Sequence, residues 1–252
     1  MFTSNPFAEL SAFISPAVMQ AYIAVMILMV AAGTLFDMLE KKSATYFFRA
    51  WRDSKGKATR QLGGGEMTSL AIQTAVVDVL ASGEFCNVRR RIAHILTFYG
   101  FLAYIITTVI MVFSYPTADT PAPAILPVLW NIGALMVLVG GYWFWFFIRV
   151  DVAHEGNSPF RLMRADLFIV SLLVSVTLGL AWEIAQATGN TAWTNVFLAL
   201  YILSTTVLFM SIPWSKFSHM FYKPAAAFEK RVVEANGSSN LPAPAESPTG
   251  EM

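Results

Sequence analysis

Five apolar runs constrain this chain more than any other feature: Ala17 to Phe36, Ile92 to Phe113, Val128 to Ile148, Ala165 to Ala187 and Trp193 to Ile212. Each is close to the roughly 20 helical residues needed to cross about 30 Å of hydrocarbon. Within a bilayer the backbone must satisfy its own hydrogen bonds, so runs of this length are expected as helices. The predicted fold is an all-α integral membrane bundle of five transmembrane helices. Composition agrees: of 252 residues, 56% are hydrophobic and only 13% charged, about half the charge usual in a soluble domain.

The polar segments between the runs are unequal. Residues 37–91 form the largest, and they carry Lys41, Lys42, Arg49, Arg52, Lys55, Lys57, Arg60, Arg89, Arg90 and Arg91. Thr68 to Leu80 has helical spacing of apolar residues and reads as a short amphipathic helix at a membrane or partner surface. Basic residues gather after the first, third and fifth runs and are absent from the N-terminal segment and from the loops after the second and fourth. The positive-inside bias therefore predicts the N-terminus outside and the C-terminus in the cytoplasm of a bacterial inner membrane. The expected organisation is an outer segment 1–16, a membrane domain 17–224 with the basic loop 37–91, and a cytoplasmic tail 225–252 too polar to order from about residue 236. Residues 1–16 contain no lysine or arginine, unlike the basic start of a cleaved leader, so the first run reads as a retained span.

Several chemistries are excluded. A net charge of +1 gives no global field for nucleic acid. The single cysteine, Cys86, excludes an internal disulfide and any four-thiolate cluster made by this chain alone. No phosphate-binding glycine loop, dinucleotide fingerprint or HExxH pattern occurs, so independent catalysis is not expected.

Three histidines are present. His94, in RRRIAHILTFYGF, lies in the first turn of the second span, and His219, in IPWSKFSHMFYKP, follows the fifth; the predicted topology puts both at one membrane level. Facing imidazoles on a bundle can ligate one haem b iron, with Arg91 and Lys216 placed for its propionates. The alternative is that both are ordinary residues of a basic membrane surface. His154 lies in a polar loop and reads as solvated. Glu183, in LAWEIAQATG, is the one acid well inside an apolar run; intramembrane carboxylates are often functional, and this one is a candidate for proton exchange with a quinone. Its position near a span end also allows it to reach the surface by snorkelling.

The Arg-rich start of span two with its histidine, together with the Pro-x-Ser-Lys-x-x-His core that closes span five, resembles the five-span cytochrome b family. That family includes the gamma subunit of respiratory nitrate reductase and membrane subunits of heterodisulfide reductase and quinone-interacting oxidoreductase complexes. The resemblance covers about residues 15 to 225, and it is greatest to the short anchors associated with dissimilatory adenylylsulfate reductase. It implies electron transfer between membrane quinone and a cytoplasmic flavin and iron–sulfur reductase, through a haem b on His94 and His219. A second haem would need ligands where Tyr104 and Tyr201 stand, so at most one is implied. Competing expectations are a cofactor-free membrane anchor for such an enzyme and a small transporter. A b-type band in the reduced-minus-oxidised absorption spectrum, lost in both His94→Ala and His219→Ala, is the outcome the haem reading requires, and a colourless folded protein excludes it.

Overall fold

The computed structural model describes residues 2–40, 43–83, 85, 87–149, 158, 160–163, 166–211 and 219–239, without the side chains of residues 43, 44, 46, 50 and 219–222. Its helices in chain order are α1 (Pro6–Glu9), α2 (Pro16–Glu40), α3 (Ser43–Lys57), α4 (Gly64–Gln73), α5 (Val88–Ser114), α6 (Ile125–Trp143), α7 (Leu167–Ala187), α8 (Thr191–Met210) and α9 (His219–Ala235). Two of them lengthen through a wider π-type turn, α4 over Thr74–Leu80 and α6 over Phe144–Ile148. No strand occurs among the described residues. Five helices, α2, α5, extended α6, α7 and α8, are long and apolar enough to cross a membrane. The chain is an all-α, multi-pass membrane protein, as its five apolar runs require.

Local signals set the boundaries. Asn87 caps α5, its side-chain oxygen accepting from the N–H groups of Arg89 and Arg90 at 2.9 and 3.3 Å. Asn190 caps α8 through the Trp193 N–H. Between α7 and α8 the chain reverses at Gly189, whose φ of 72° suits a residue without a Cβ. At the other end of that helix pair, Arg149 donates from Nε to the Asp166 carboxylate at 2.8 Å, so the end of α6 and the start of α7 are held together across their loop.

The described chain divides into two units, residues 1–37 with 82–219 and residues 38–81 with 220–252. The first is built on two antiparallel pairs, α5 with α6 and α7 with α8. In hydrocarbon, helices gain little by hiding apolar surface from lipid, so close backbone approach matters more. Glycine supplies that approach here. A Cβ on Gly100 of α5 would lie 2.7 Å from the Gly133 carbonyl oxygen of α6, and one on Gly140 would lie 2.7 Å from the Ala93 carbonyl oxygen. Side chains join the remaining helices: Ser175 to Thr205 at 2.7 Å and Tyr142 to Thr177 at 3.0 Å. Helix α2 is held by Tyr22 Oη, which donates to the Ile202 carbonyl, and by Gln20 Nε2, which donates to that of Val112. A cavity of about 480 Å³, lined by apolar side chains of α2, α5, α7 and α8, lies between them.

The second unit joins the long loop to the C-terminal helix. Trp51 of α3 stacks on Phe228 of α9 at 5.9 Å. Arg231 holds Asp78 in a two-pronged ion pair, Nε to Oδ2 at 2.7 Å and Nη2 to Oδ1 at 2.9 Å. The Asn236 carbonyl accepts from the backbone N–H groups of Thr59 and Arg60 and from the Thr59 hydroxyl. Thus the segments after the first and the fifth spans pack together in one unit. The amphipathic helix expected at Thr68 to Leu80 falls within α4 and its π-type extension, whereas α3 had been legible only as a basic stripe. Residues 240–252 lie outside the described residues.

Adding one methyl group separates the roles of two glycines. Gly100→Ala forces α5 away from α6 and is expected to destabilise by about 1 to 3 kcal/mol. Gly56→Ala, in α3 with open space around it, is expected to stabilise by up to about 1 kcal/mol. Thermal unfolding of the detergent-solubilised variants measures both.

Candidate functional site

Helix α7 is apolar along nearly its whole length, so its one carboxylate stands out. Glu183 is 3% exposed. Snorkelling to the surface, allowed by its place near the helix end, does not occur, because the chain before α2 closes over that end of the bundle. Asn5 starts this closure: its side-chain oxygen accepts from the Phe7 N–H, and its amide donates to the Tyr115 carbonyl at 2.8 Å. The turn that follows inserts Phe7 and Leu10, both buried. Phe7 meets Trp130 of α6 edge-on at 5.9 Å and Trp182 of α7 at 5.4 Å. Gln186 Nε2, one turn beyond Trp182, donates to the Pro6 carbonyl at 3.2 Å.

Below this cap, Asn131 of α6 faces Glu183. Its amide nitrogen donates to Glu183 Oε1 and to the Pro127 carbonyl, each at 3.0 Å. The orientation of the Asn131 amide follows from these partners, because the Pro127 carbonyl can only accept. The same holds for Gln186 against Pro6. Four enclosed polar atoms are then left without a protein partner: Glu183 Oε2, Asn131 Oδ1, Gln186 Oε1 and Trp182 Nε1. Three are acceptors and one is a donor.

Aromatic side chains wall the site. Tyr104 of α5 donates its hydroxyl to the Tyr201 hydroxyl of α8 at 2.9 Å, and both residues are buried. Tyr104 stacks on Trp130 at 4.8 Å, Tyr201 on Trp182 at 5.9 Å. The Trp130 ring nitrogen donates to Thr108. A closed circuit results, Trp130 to Tyr104 to Tyr201 to Trp182 to Phe7 and back. Gly179 makes room for it, since a Cβ there would lie 2.6 Å from the Tyr104 hydroxyl. The second and fifth spans therefore do meet at Tyr104 and Tyr201, and packed, hydrogen-bonded tyrosines fill the space between them at that level.

The residues singled out for haem are placed less completely. His94 lies in the first turns of α5, exposed, with Nδ1 3.0 Å from the Ser82 hydroxyl. Its ring is stacked on Phe98 at 6.0 Å and tilted against Phe85 at 4.8 Å. Arg91 is exposed on the preceding turn, its backbone N–H bonded to the Asn87 carbonyl. His219 opens α9, but its side chain is outside the described part, and Lys216 and His154 lie outside the described residues. Among the described residues, no three His, Cys, Asp or Glu side chains gather to hold a metal ion.

Sequence reasoning found Glu183 and missed its partners. Asn131 carried a usable signal, a lone amide inside ILPVLWNIGALMV, to which the argument applied to Glu183 extends. The cap carried none, because Asn5 to Leu10 resembles any short polar-apolar segment. Replacing Asn131 by Ala deprives Glu183 Oε1 of the Asn131 amide donor and is expected to cost about 1 to 3 kcal/mol in thermal stability. Glu183→Gln, of the same shape, is expected to cost less. In the double variant Asn131→Ala with Glu183→Ala the losses should fall short of their sum; strict additivity would show the contact to be energetically idle.

Comparison with known proteins corrects the family read from the two histidine segments. Residues 21–239 match the family "CitB: Citrate utilization protein B". A curated relative, Citrate utilization protein B of Escherichia coli, is 28% identical over 201 residues, covering 73% of this chain and 51% of the relative. The chain thus spans about half the length of the curated relative it matches. No solved structure matches it. This match replaces the five-span cytochrome b resemblance, and with it go the adenylylsulfate reductase anchor, the electron-transfer role, the flavin and iron–sulfur partner and the quinone, including the quinone role given to Glu183. The earlier resemblance rested on short clusters of basic and aromatic residues around a histidine, which the cytoplasmic rim of many membrane bundles produces. The match instead extends from the first span through α9: the chain belongs to the citrate utilization protein B family.

Proposed function

We propose that this protein is a membrane component of citrate utilization, seated in a bacterial cytoplasmic membrane with its N-terminal end outside and the unit formed by α3, α4 and α9 in the cytoplasm. The single observation that carries the reading is the family match over residues 21–239, which takes in most of the first span, the other four whole and most of that unit. The basic residues Arg49, Arg52, Lys55 and Arg60, exposed on and after α3, support the orientation through the positive-inside bias.

The interior chemistry argues that citrate itself does not pass through this bundle. A tricarboxylate needs cationic or donor-rich surroundings when it leaves water. Among the described residues the buried carboxylates are Asp37 and Glu183, and no lysine, arginine or histidine is buried. The role supported is therefore an accessory one, with the capped Glu183 and Asn131 cluster as its working part.

Growth of the source bacterium tests this. A strain lacking the gene is expected to grow on glucose but not on citrate as the sole carbon source, and the intact gene should restore growth. Equal growth on citrate with and without the gene would overturn the proposal.

A further inference from the structure

Four of the buried polar atoms that lack a protein partner belong to Glu183 and to residues near it in the fold or the sequence; the others among the described residues are Thr34 Oγ1 and Asp37 Oδ1 on α2. Every hydroxyl on the aromatic wall has a partner: Tyr104 with Tyr201, and Thr108 with Trp130. The unsatisfied set is different in kind: three acceptors and one donor, none exposed, belong to residues of α6 and α7, and two of these residues, Asn131 and Glu183, are in direct contact. Rearranging the amides does not cure this, because the nitrogens of Asn131 and Gln186 are held by the carbonyls of Pro127 and Pro6. What is missing is a small species that donates more than it accepts. Water does so when it meets two or more acceptors, and buried polar gaps in proteins are commonly filled in this way.

We infer that the Glu183 cluster is a water-holding proton-exchange site, closed by the Asn5–Leu10 cap. In the carboxylate form one water donates its two hydrogens to Glu183 Oε2 and Asn131 Oδ1, and Gln186 Oε1 and Trp182 Nε1 call for further water; in the acid form the Glu183 O–H donates to the water instead. In the exchange step the O–H bond of the Glu183 carboxylic acid breaks, its electron pair stays on the carboxylate, and the proton forms a new bond to the water oxygen. The reverse step restores the acid, so no oxidant or second reactant is consumed. Asn131, through its amide donation to Oε1, positions the carboxyl so that Oε2 is the exchanging oxygen. The cap is the gate: Phe7 is wedged between Trp130 and Trp182, and Gln186 is tied to Pro6. The titratable groups near the carboxyl on the packed helices are Tyr104 of α5, which feels the Glu183 charge, and Tyr201 of α8 bonded to it; the nearest acid of the cap, Glu9, points to solvent. No lysine, arginine or histidine is buried among the described residues.

The test uses the purified full chain in lipid nanodiscs and infrared difference spectra between acidic and alkaline pH, in H₂O and in D₂O. A carboxylic-acid carbonyl band is expected that rises and falls with pH and shifts in D₂O. It should shift when the chain is labelled with carboxyl-¹³C glutamate and vanish in Glu183→Gln. Phe7→Ala is expected to speed the deuterium shift about tenfold, the loss of an aromatic contact of about 1.4 kcal/mol. The ¹³C label assigns the band to glutamate in the unaltered protein, so the test does not depend on a variant that folds. Absence of any pH-dependent carboxylic-acid band, its persistence in Glu183→Gln, or a band indifferent to D₂O overturns the site; an unchanged rate in Phe7→Ala overturns the gate. None of these readings involves citrate, so their failure is distinct from failure of the growth test.

Discussion

Inside hydrocarbon no solvent repairs an unmet hydrogen bond, and this constraint governs how the membrane unit is built. Its polar side chains answer in two ways. Thr97, Thr107, Ser171 and Thr177 bond back to carbonyls of their own helices. Tyr22, Gln20, Ser175 and Trp130 bond across to other helices and so fix which helices are neighbours. Against that background the cluster at Glu183 is an exception to the rule. A cap of five or six residues keeps it away from the surface that would relieve it.

The constraint also explains the division of labour among residue types. Apolar side chains make the spans but do not choose partners, because lipid serves them as well as another helix does. Glycines at 100, 133 and 140 bring α5 against α6, and aromatic stacking with one tyrosine pair joins that hairpin to α7 and α8. In the second unit, where water competes, a different set of contacts suffices: the stacked Trp51 and Phe228, the Asp78 and Arg231 pair, and a shared carbonyl at Asn236.

The histidine segments illustrate how far a local pattern carries. RRRIAHILTFYGF and IPWSKFSHMFYKP combine positive charge, aromatics and an imidazole, a mixture favoured at the cytoplasmic rim of membrane proteins whatever their family. Family membership is spread instead over some two hundred positions, many of them ordinary apolar residues whose identity no physical argument singles out. The relative's name and the family's reach therefore corrected a reading that chemistry at two points had suggested.

What the sequence by itself determined was the membrane class, the number of spans and the conspicuous carboxylate at 183. Each follows from a one-dimensional quantity: run length against bilayer thickness, or the cost of a charge in an apolar run. The tertiary structure alone decided that Asn131 meets that carboxylate, that Tyr104 and Tyr201 close the gap between the second and fifth spans, and that residues 5 to 10 cover the site. Those pairings join positions 52, 97 and more than 100 residues apart, and helices in lipid present no periodic signal that says which faces will touch. Only packing, through glycine contacts and polar pairs, makes that choice.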